Sequence, residues 1–489
     1  MKDKLRSLAS DTLVYGTSTI AQRFLTFMLT PLYTNYLTLS EAGDMQFLYS
    51  LIAFANILYS FGFEAAFLRY YRDGGDQKSV YTHSYLAIAG ITGAVTFMLY
   101  LFSAPIADIL SLESTNALWL TQLAIAIPFL DCFMLIPFAR LRMERKPRVF
   151  AILKLFNVVV AVVLNIILVV WMKKGCEGVL VSSVIASFIG MAVFVPSVLR
   201  HLKFEWNADL FSDLTAFGLP TLPSGFSAMI LQVADRPILK AFASTDAVAL
   251  YSMNYRLGLP MLLMVSVFEQ AWKPFYLSHA NDDDPKPLFA RVMTYFTVVS
   301  AVIFLVVSLF VQYIVQLPFP GGKFFNPVYW SGLGIVPVVT AAYYFNGLAT
   351  NFATGLYITK RTRTLPLATG AAALTNVLMN IILIPAIGYM GAAYATLGAY
   401  MVSAVVMYLY SQREYPIAYE WQRVVMICGI CCVEYALILL FGKALGGNAE
   451  LILHIAAVPL FFALLLATNV FTVGERKAAL SSMRKVLRR

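Results

Sequence analysis

The chain has 489 residues, 60% of them hydrophobic and 13% charged, with a net charge of +10 and a mean hydropathy of +0.74. That is far more apolar than a water-soluble domain, and no loop is long enough to fold as a separate catalytic module. The positive balance is read as a topology signal, which leaves a nucleic-acid role without support.

The apolar runs divide into fourteen segments, each about 20 residues or longer, which is the length a helix needs to cross a bilayer. In chain order they lie near 12–36, 45–70, 82–105, 116–139, 149–172, 178–199, 214–235, 247–277, 289–316, 328–357, 364–386, 390–411, 421–441 and 449–473. The first is interrupted by Gln22-Arg23 and no small-residue cleavage site follows it, so it is read as a retained helix. With the amino terminus in the cytoplasm, 27 of the 36 Lys and Arg residues fall on that side, and an even helix count brings the carboxy terminus back to it. The expectation is an all-α polytopic membrane protein with both termini cytoplasmic.

Three cations, Arg23, Lys154 and Arg256, fall within apolar segments. A cation at a helix centre costs about 2.5–3.5 kcal/mol on insertion scales, so a wet interior that receives something anionic is the economical reading. Partnership with a helix acid is the alternative for Arg23 and Arg256, and snorkelling to the cytoplasmic face is the alternative for Lys154. Arginine suits diphosphate because its planar fork bonds two phosphate oxygens at once. Intramembrane acids at Glu64, Asp131, Asp235, Glu269 and Glu434 are candidates for binding a coupling ion, or for fixed ion pairs. Pro220, Pro223 and Gly225 in the seventh segment, and Pro260 in the eighth, free backbone groups and are expected to bend their helices as a gate or hinge.

Other features give weaker signals. Cys428 and Cys431 have C-x-x-C spacing, yet they lie on an apolar helix without nearby histidine, and packing is the preferred reading. The four histidines are scattered, which argues against a metal site. Asp282-Asp283-Asp284 reads as a solvated loop, and Gly321-Gly322-Lys323 lacks the upstream glycine and the Ser or Thr of a phosphate loop. No ATPase motif is present, so no cofactor is expected and energy must come from a proton or sodium gradient, the membrane potential or downstream consumption. The segment 475–489 is basic and amphipathic, as in a surface anchor.

The two halves repeat. Glu41-Ala42-Gly43 and Phe63-Glu64-Ala65-Ala66-Phe67 match Asp246-Ala247-Val248 and Phe268-Glu269-Gln270-Ala271-Trp272 at an offset of 205 residues. Arg145-Lys146-Pro147-Arg148 with Asn165-Ile166-Ile167-Leu168 matches Lys360-Arg361-Thr362-Arg363 with Asn380-Ile381-Ile382-Leu383 at an offset of 215. Two six-helix lobes, 1–205 and 206–413, are therefore expected about an axis along the membrane normal, with residues 414–489 holding a further helix pair and the basic tail.

Phe217-Gly218-Leu219-Pro220, Ala234-Asp235-Arg236, Ala249-Leu250-Tyr251-Ser252 and Phe268-Glu269-Gln270-Ala271-Trp272-Lys273-Pro274-Phe275 resemble the start of the second lobe in Wzx-type polysaccharide-repeat flippases. Pro31-Leu32-Tyr33-Thr34, Arg69-Tyr70-Tyr71 and Asn376-Val377-Leu378-Met379-Asn380 extend the resemblance over most of the first twelve segments. It implies the V-shaped, two-lobed fold of the multidrug/oligosaccharidyl-lipid/polysaccharide exporter superfamily. It also implies movement of an undecaprenyl-diphosphate-linked oligosaccharide from the cytoplasmic to the periplasmic leaflet of the bacterial inner membrane, for O-antigen or lipopolysaccharide assembly. Arg23 and Arg256 fit the family's cationic cavity by helix position. Expected partners are the lipid-linked oligosaccharide, membrane lipids, a polysaccharide polymerase and glycosyltransferases. A flippase for the peptidoglycan precursor is the nearest rival, and a drug or cation antiporter a more distant one.

Overall fold

A computed structural model of the chain describes residues 2–72, 76–203, 205–280, 282–468, 470–471 and 474–475. It is built almost wholly from helices, which satisfy every backbone hydrogen bond internally, as hydrocarbon requires. In chain order they are α1 (Lys2–Tyr36), α2 (Leu39–Ser60), α3 (Phe63–Tyr70), α4 (Gln77–Leu101), α5 (Ser103–Leu110), α6 (Ala117–Met143), α7 (Pro147–Asn165), α8 (Gly175–His201), α9 (Ala208–Gly218) and α10 (Leu222–Val233). There follow α11 (Asp235–Phe242), α12 (Thr245–Tyr255), α13 (Leu259–His279), α14 (Lys286–Ile314), α15 (Ile335–Phe352), α16 (Thr354–Ile358), α17 (Leu365–Ile387), α18 (Tyr389–Glu414), α19 (Trp421–Leu445) and α20 (Gly447–Ala467). A two-stranded antiparallel hairpin, β1 (Pro318–Phe319) and β2 (Gly322–Lys323), lies between α14 and α15.

Eleven of these stretches are long and apolar enough to cross a membrane, or twelve if the bent pair α2–α3 is one span, among the described residues. The expected count of fourteen is not confirmed by length and hydropathy alone: α1 and the segment expected at 247–277 are helical, the latter with a 3-10 turn at Arg256–Gly258, but polar residues lower their mean hydropathy.

Helix starts follow local chemistry. Thr38 and Glu41 form a reciprocal capping box at α2, Asp76 caps α4 through the amides of Lys78 and Ser79, and Ser244 caps α12 through Ala247. The break between α2 and α3 bends the chain by 43°, with Phe61 and Gly62 both at positive φ. Only glycine serves at 62, because a methyl group there would lie 2.1 Å from the Gly218 carbonyl oxygen of α9. The end of α7 widens into a π-helical turn, Ile166–Trp171, closed by the Met172 amide donating to the Ile167 carbonyl at 2.9 Å.

The chain forms two compact units. The first comprises residues 1–256, 317–332 and 366–399, and the second 257–316, 333–365 and 400–489. Positions 205 and 413 fall inside the first and second units, so neither lobe boundary expected from the repeat coincides with a break in compactness, a property distinct from the repeat relation. In the first unit Tyr59, Phe63, Phe67, Tyr81 and Ile136 form an aromatic-rich core between α2, α3, α4 and α6. In the second, Leu305, Ile427, Phe461 and Leu465 join α14, α19 and α20.

Candidate functional site

Arg256 lies not within a helix, as its apolar surroundings suggest, but on the turn that follows α12. Pro260 in the first turn of α13 fixes φ there, so the chain can restart a helix immediately after this turn. The Arg256 guanidinium is half-buried. It donates to Thr30 Oγ1 of α1 at 3.2 Å and stands 6.0 Å from the centre of the Tyr33 ring. Tyr33 in turn donates to Asn165 Oδ1 of α7 at 3.0 Å. Among the described residues no carboxylate lies within ion-pairing distance of Arg256. One hydroxyl and an aromatic ring hold it in place, with no carboxylate among the described residues to compensate its charge.

Lys154 projects from α7 three turns before Asn165, about 16 Å along the helix axis. It lies 4.4 Å from the centre of the Phe138 ring and forms no ion pair within 4.0 Å among the described residues. Asp131 of α6 accepts a hydrogen bond from Ser187 Oγ of α8 at 2.6 Å and is near enough for its charge to interact with Lys154. This sets a carboxylate and an ammonium in the interior formed by α6, α7 and α8. Arg23 is exposed on α1.

The remaining acids differ in state. Glu64 on α3 is ion-paired with Arg142 at the end of α6, and Asp235 is buried between Arg236 and the Tyr251 hydroxyl. Both therefore have the fixed partners that the alternative reading gave them. Glu269 is exposed on α13. Pro220 lies in the 3-10 turn between α9 and α10, Pro223 in the first turn of α10, and Gly225 packs toward Ile57 of α2. Where a bend was expected, a three-residue 3-10 turn, Leu219–Thr221, lies within one continuous spanning stretch, Ala208–Val233. Among the packing cysteines, Cys431 turns its thiol to the Ala301 carbonyl at 3.7 Å, and the basic segment 476–489 lies outside the described residues.

Sequence reasoning missed the most buried ion pair of the first unit. Asp44, wholly buried at the start of α2, binds Lys240 of α11 at 2.9 Å and accepts the Ser114 amide at 2.7 Å. Lys240 also covers the Phe47 ring, 4.5 Å from its centre. Nearby, Arg236 sits over Tyr255 at 4.9 Å and Tyr251 at 5.5 Å. The one local signal was Asp44 itself, a carboxylate heading a long apolar run.

A multi-pass bundle with ionised side chains held inside it is the architecture of membrane carriers, and solved structures agree on the fold. The chain is similar to the lipid II flippase MurJ in its inward closed conformation, at 15% identity and a TM-score of 0.75, covering 93% of this chain and 99% of that one. It is also similar to an inward-facing multidrug resistance MATE family transporter of the MOP superfamily, at 15% identity and a TM-score of 0.62 over 80% and 94% of the two chains. A MOP superfamily transporter from Pyrococcus furiosus, described by the reverse polarity of its binding pocket, matches at 14% identity and a TM-score of 0.55 over 83% and 95%. The fold is that of the MOP-superfamily transporters. No curated protein sequence matches the chain. The family profile of polysaccharide biosynthesis proteins matches residues 8–279, more than half of the chain, and the chain belongs to that family.

Proposed function

We propose that the protein is a flippase that carries undecaprenyl-diphosphate-linked oligosaccharide repeat units from the cytoplasmic to the periplasmic leaflet, for cell-surface polysaccharide assembly. The observation that carries this reading is Arg256, a half-buried guanidinium held by Thr30 and Tyr33 with no carboxylate among the described residues to neutralise it. A diphosphate supplies the missing negative charge in the geometry that an arginine fork prefers. Lys154 adds a second cation toward the same cargo, and Arg23 offers a third at the surface of α1. The work is transport rather than catalysis, with both termini in the cytoplasm and the chain in the bacterial inner membrane. A polymerase and glycosyltransferases would act on the same lipid-linked chain before and after it crosses.

In this reading access alternates. The interruptions at Pro220, Pro223 and Gly225, and at Arg256 with Pro260, are the hinges. The Asp44–Lys240 pair, which joins α2 to α11, holds one side closed. Export of a negatively charged head from a negative interior is favoured by about 2.3 kcal/mol per charge per 100 mV. A proton or sodium ion bound at Asp131 would reset the carrier, with Asp235, Glu64 and Glu269 as further coupling candidates.

The likeness to a lipid II flippase favours a second reading, in which the cargo is the peptidoglycan precursor, whose diphosphate would use the same cations. A multidrug or cation antiporter is a weaker third, because an unneutralised guanidinium repels cationic cargo. The test is leaflet-resolved accumulation of lipid-linked oligosaccharide in cells carrying the wild type, Arg23→Ala or Arg256→Ala. Cargo trapped on the cytoplasmic side in variants that still insert supports the reading. Normal transfer in both removes its base, and rescue of peptidoglycan synthesis instead moves it to the second cargo.

A further inference from the structure

Residues 317–332 belong to the first compact unit, although the chain enters them from α14 and leaves them for α15, both of the second. They have a firm root and a lightly held tip. The root is the 3-10 stretch that begins at Pro327, with the residues just before it. Phe325 is 0% exposed and Tyr329 1%, and the Tyr329 carbonyl accepts from Asn254 Nδ2 of α12 at 2.9 Å. Trp330 Nε1 closes the stretch on the Phe325 carbonyl at 3.1 Å.

The tip is the β1–β2 hairpin. Pro320 and Gly321 are its turn residues, the proline presetting one φ and Gly321, at +92°, supplying the other. It lies on the last turn of α1. Asn35 Nδ2 donates to the Lys323 carbonyl at 2.7 Å and Tyr36 Oη to the Pro320 carbonyl at 3.4 Å, both at the solvent-exposed surface. The other hydrogen of the Asn35 amide goes to the Pro31 carbonyl at 2.8 Å. One side chain thus ties the hairpin to the proline of α1, where the helix lacks a backbone N–H.

Root and tip sit on the two elements that the Arg256–Thr30 bond joins. Asn254 stands two residues before Arg256, and Asn35 five residues after Thr30. Hydrogen bonds open to water are exchanged for water at little net cost, so the tip can leave α1 while apolar burial keeps the root in place.

We propose that the β1–β2 hairpin is a releasable latch on α1, with Asn35 as its catch. With the tip docked, α1 is held at Pro31 with Thr30 on the Arg256 guanidinium. With the tip released, α1 is free to bend at Pro31 and to withdraw Thr30, which uncovers the guanidinium. Docking and release are properties of the fold, whereas their consequence for transport rests on the assignment of Arg256 to cargo.

The experiment uses the full-length protein in proteoliposomes. Asn35→Cys and Lys323→Cys are combined and joined by a short bifunctional methanethiosulfonate, and the link is mapped by mass spectrometry. Asn35→Cys alone, given the same reagent, controls for the five native cysteines. The link should slow leaflet transfer of a fluorescent undecaprenyl-diphosphate-linked disaccharide about tenfold or more, and dithiothreitol should restore it. Asn35→Ala tests release without cargo. Its hydrogen exchange over 318–324 should rise about threefold or more, while exchange over 325–332 and the unfolding midpoint stay as in the wild type. Equal transfer by the linked and the reduced protein overturns the proposal. So does exchange that is unchanged over 318–324, or that rises over 318–324 and 325–332 together, since the hairpin is then a fixed part of its unit. A wild type that moves none of the probe sinks the cargo reading instead, and hydrogen exchange alone then decides the latch.

Discussion

Lys240 Nζ lies 2.9 Å from Asp44 Oδ1 across 196 positions of sequence, with both side chains almost wholly withdrawn from solvent. Breaking a buried pair leaves an uncompensated charge, which costs about 3–5 kcal/mol, whereas replacing both partners by apolar residues is often neutral. Asp44→Leu and Lys240→Met should each lower the thermal unfolding midpoint of the purified protein, and the double variant should recover most of the loss. Additive losses would show that the two residues act separately. If the pair also holds the carrier closed, the double variant flips cargo at an altered rate while remaining stable.

Gly43 tests the same contact by shape. A methyl group there would lie 2.1 Å from the Thr245 carbonyl oxygen, a backbone atom that cannot turn aside. Gly43→Ala should destabilise the protein by about 1–3 kcal/mol through overpacking. A midpoint unchanged from the wild type would mean that α2 and α12 separate without cost.

Arg256 can be divided into charge and shape. Arg256→Lys keeps the charge and loses the planar fork, so it should retain part of the transfer that Arg256→Ala loses, with the alanine variant lower by about tenfold or more. Leaflet-resolved accumulation measures both. Equal activity of the two variants would show that the fork contributes nothing.

Asp131 is placed to respond to an ion gradient. Asp131→Asn keeps the acceptor for Ser187 and removes the ionisable group, so flipping should continue while becoming independent of an imposed proton or sodium gradient. Retention of gradient dependence would move the coupling site elsewhere, with Asp235 the next residue to test.

The connection from α8 to α9 predicts a pH dependence. Lys203 donates to Asp76 Oδ2 at 2.9 Å, and the Lys203 amide donates to Thr82 Oγ1 at 2.8 Å. The Lys203 hydrogen bond, followed by that of the Ser79 amide, holds the Asp76 carboxyl below its ordinary value. For a depressed carboxylate the stabilising effect is complete above the unfolded value of about 3.9 and is lost as the pH falls through the lower folded value. The tether should therefore be constant from about pH 5 to pH 8 and weaken only below about pH 4. Hydrogen exchange over 202–208 should rise modestly in Asp76→Asn at pH 7, as befits a solvent-exposed pair. A transition near neutral pH would assign control to another group.

Among the described residues each apolar segment read from the sequence is largely helix, because a chain in hydrocarbon has few other ways to satisfy its backbone. The 3-10 turn at Leu219–Thr221 was legible from Pro220 and Pro223. The break at Gly62 was not, since its cause is the approach of Gly218, some 156 positions away. Arg256 was visible as a cation among apolar residues, but its position on a turn came from packing against α1. Asp44 and Lys240 carried no joint signal, because tertiary structure alone brings positions 44 and 240 together. Glu434 was legible as an intramembrane acid, whereas its lack of a hydrogen-bond partner among the described residues becomes apparent only when α19 and α20 are packed.

The wide turn at Ile166–Trp171 has a consequence for how this bundle changes over time. A π-helical turn accommodates one residue more than the α-helix around it. Deleting a residue between 166 and 171 should let the turn close to ordinary α-helix, with α7 upstream and the Gly175 turn downstream keeping their facings. The end of α7 is thus a place where the protein can gain or lose length by one residue without rotating its interior, a tolerance that a uniform helix lacks.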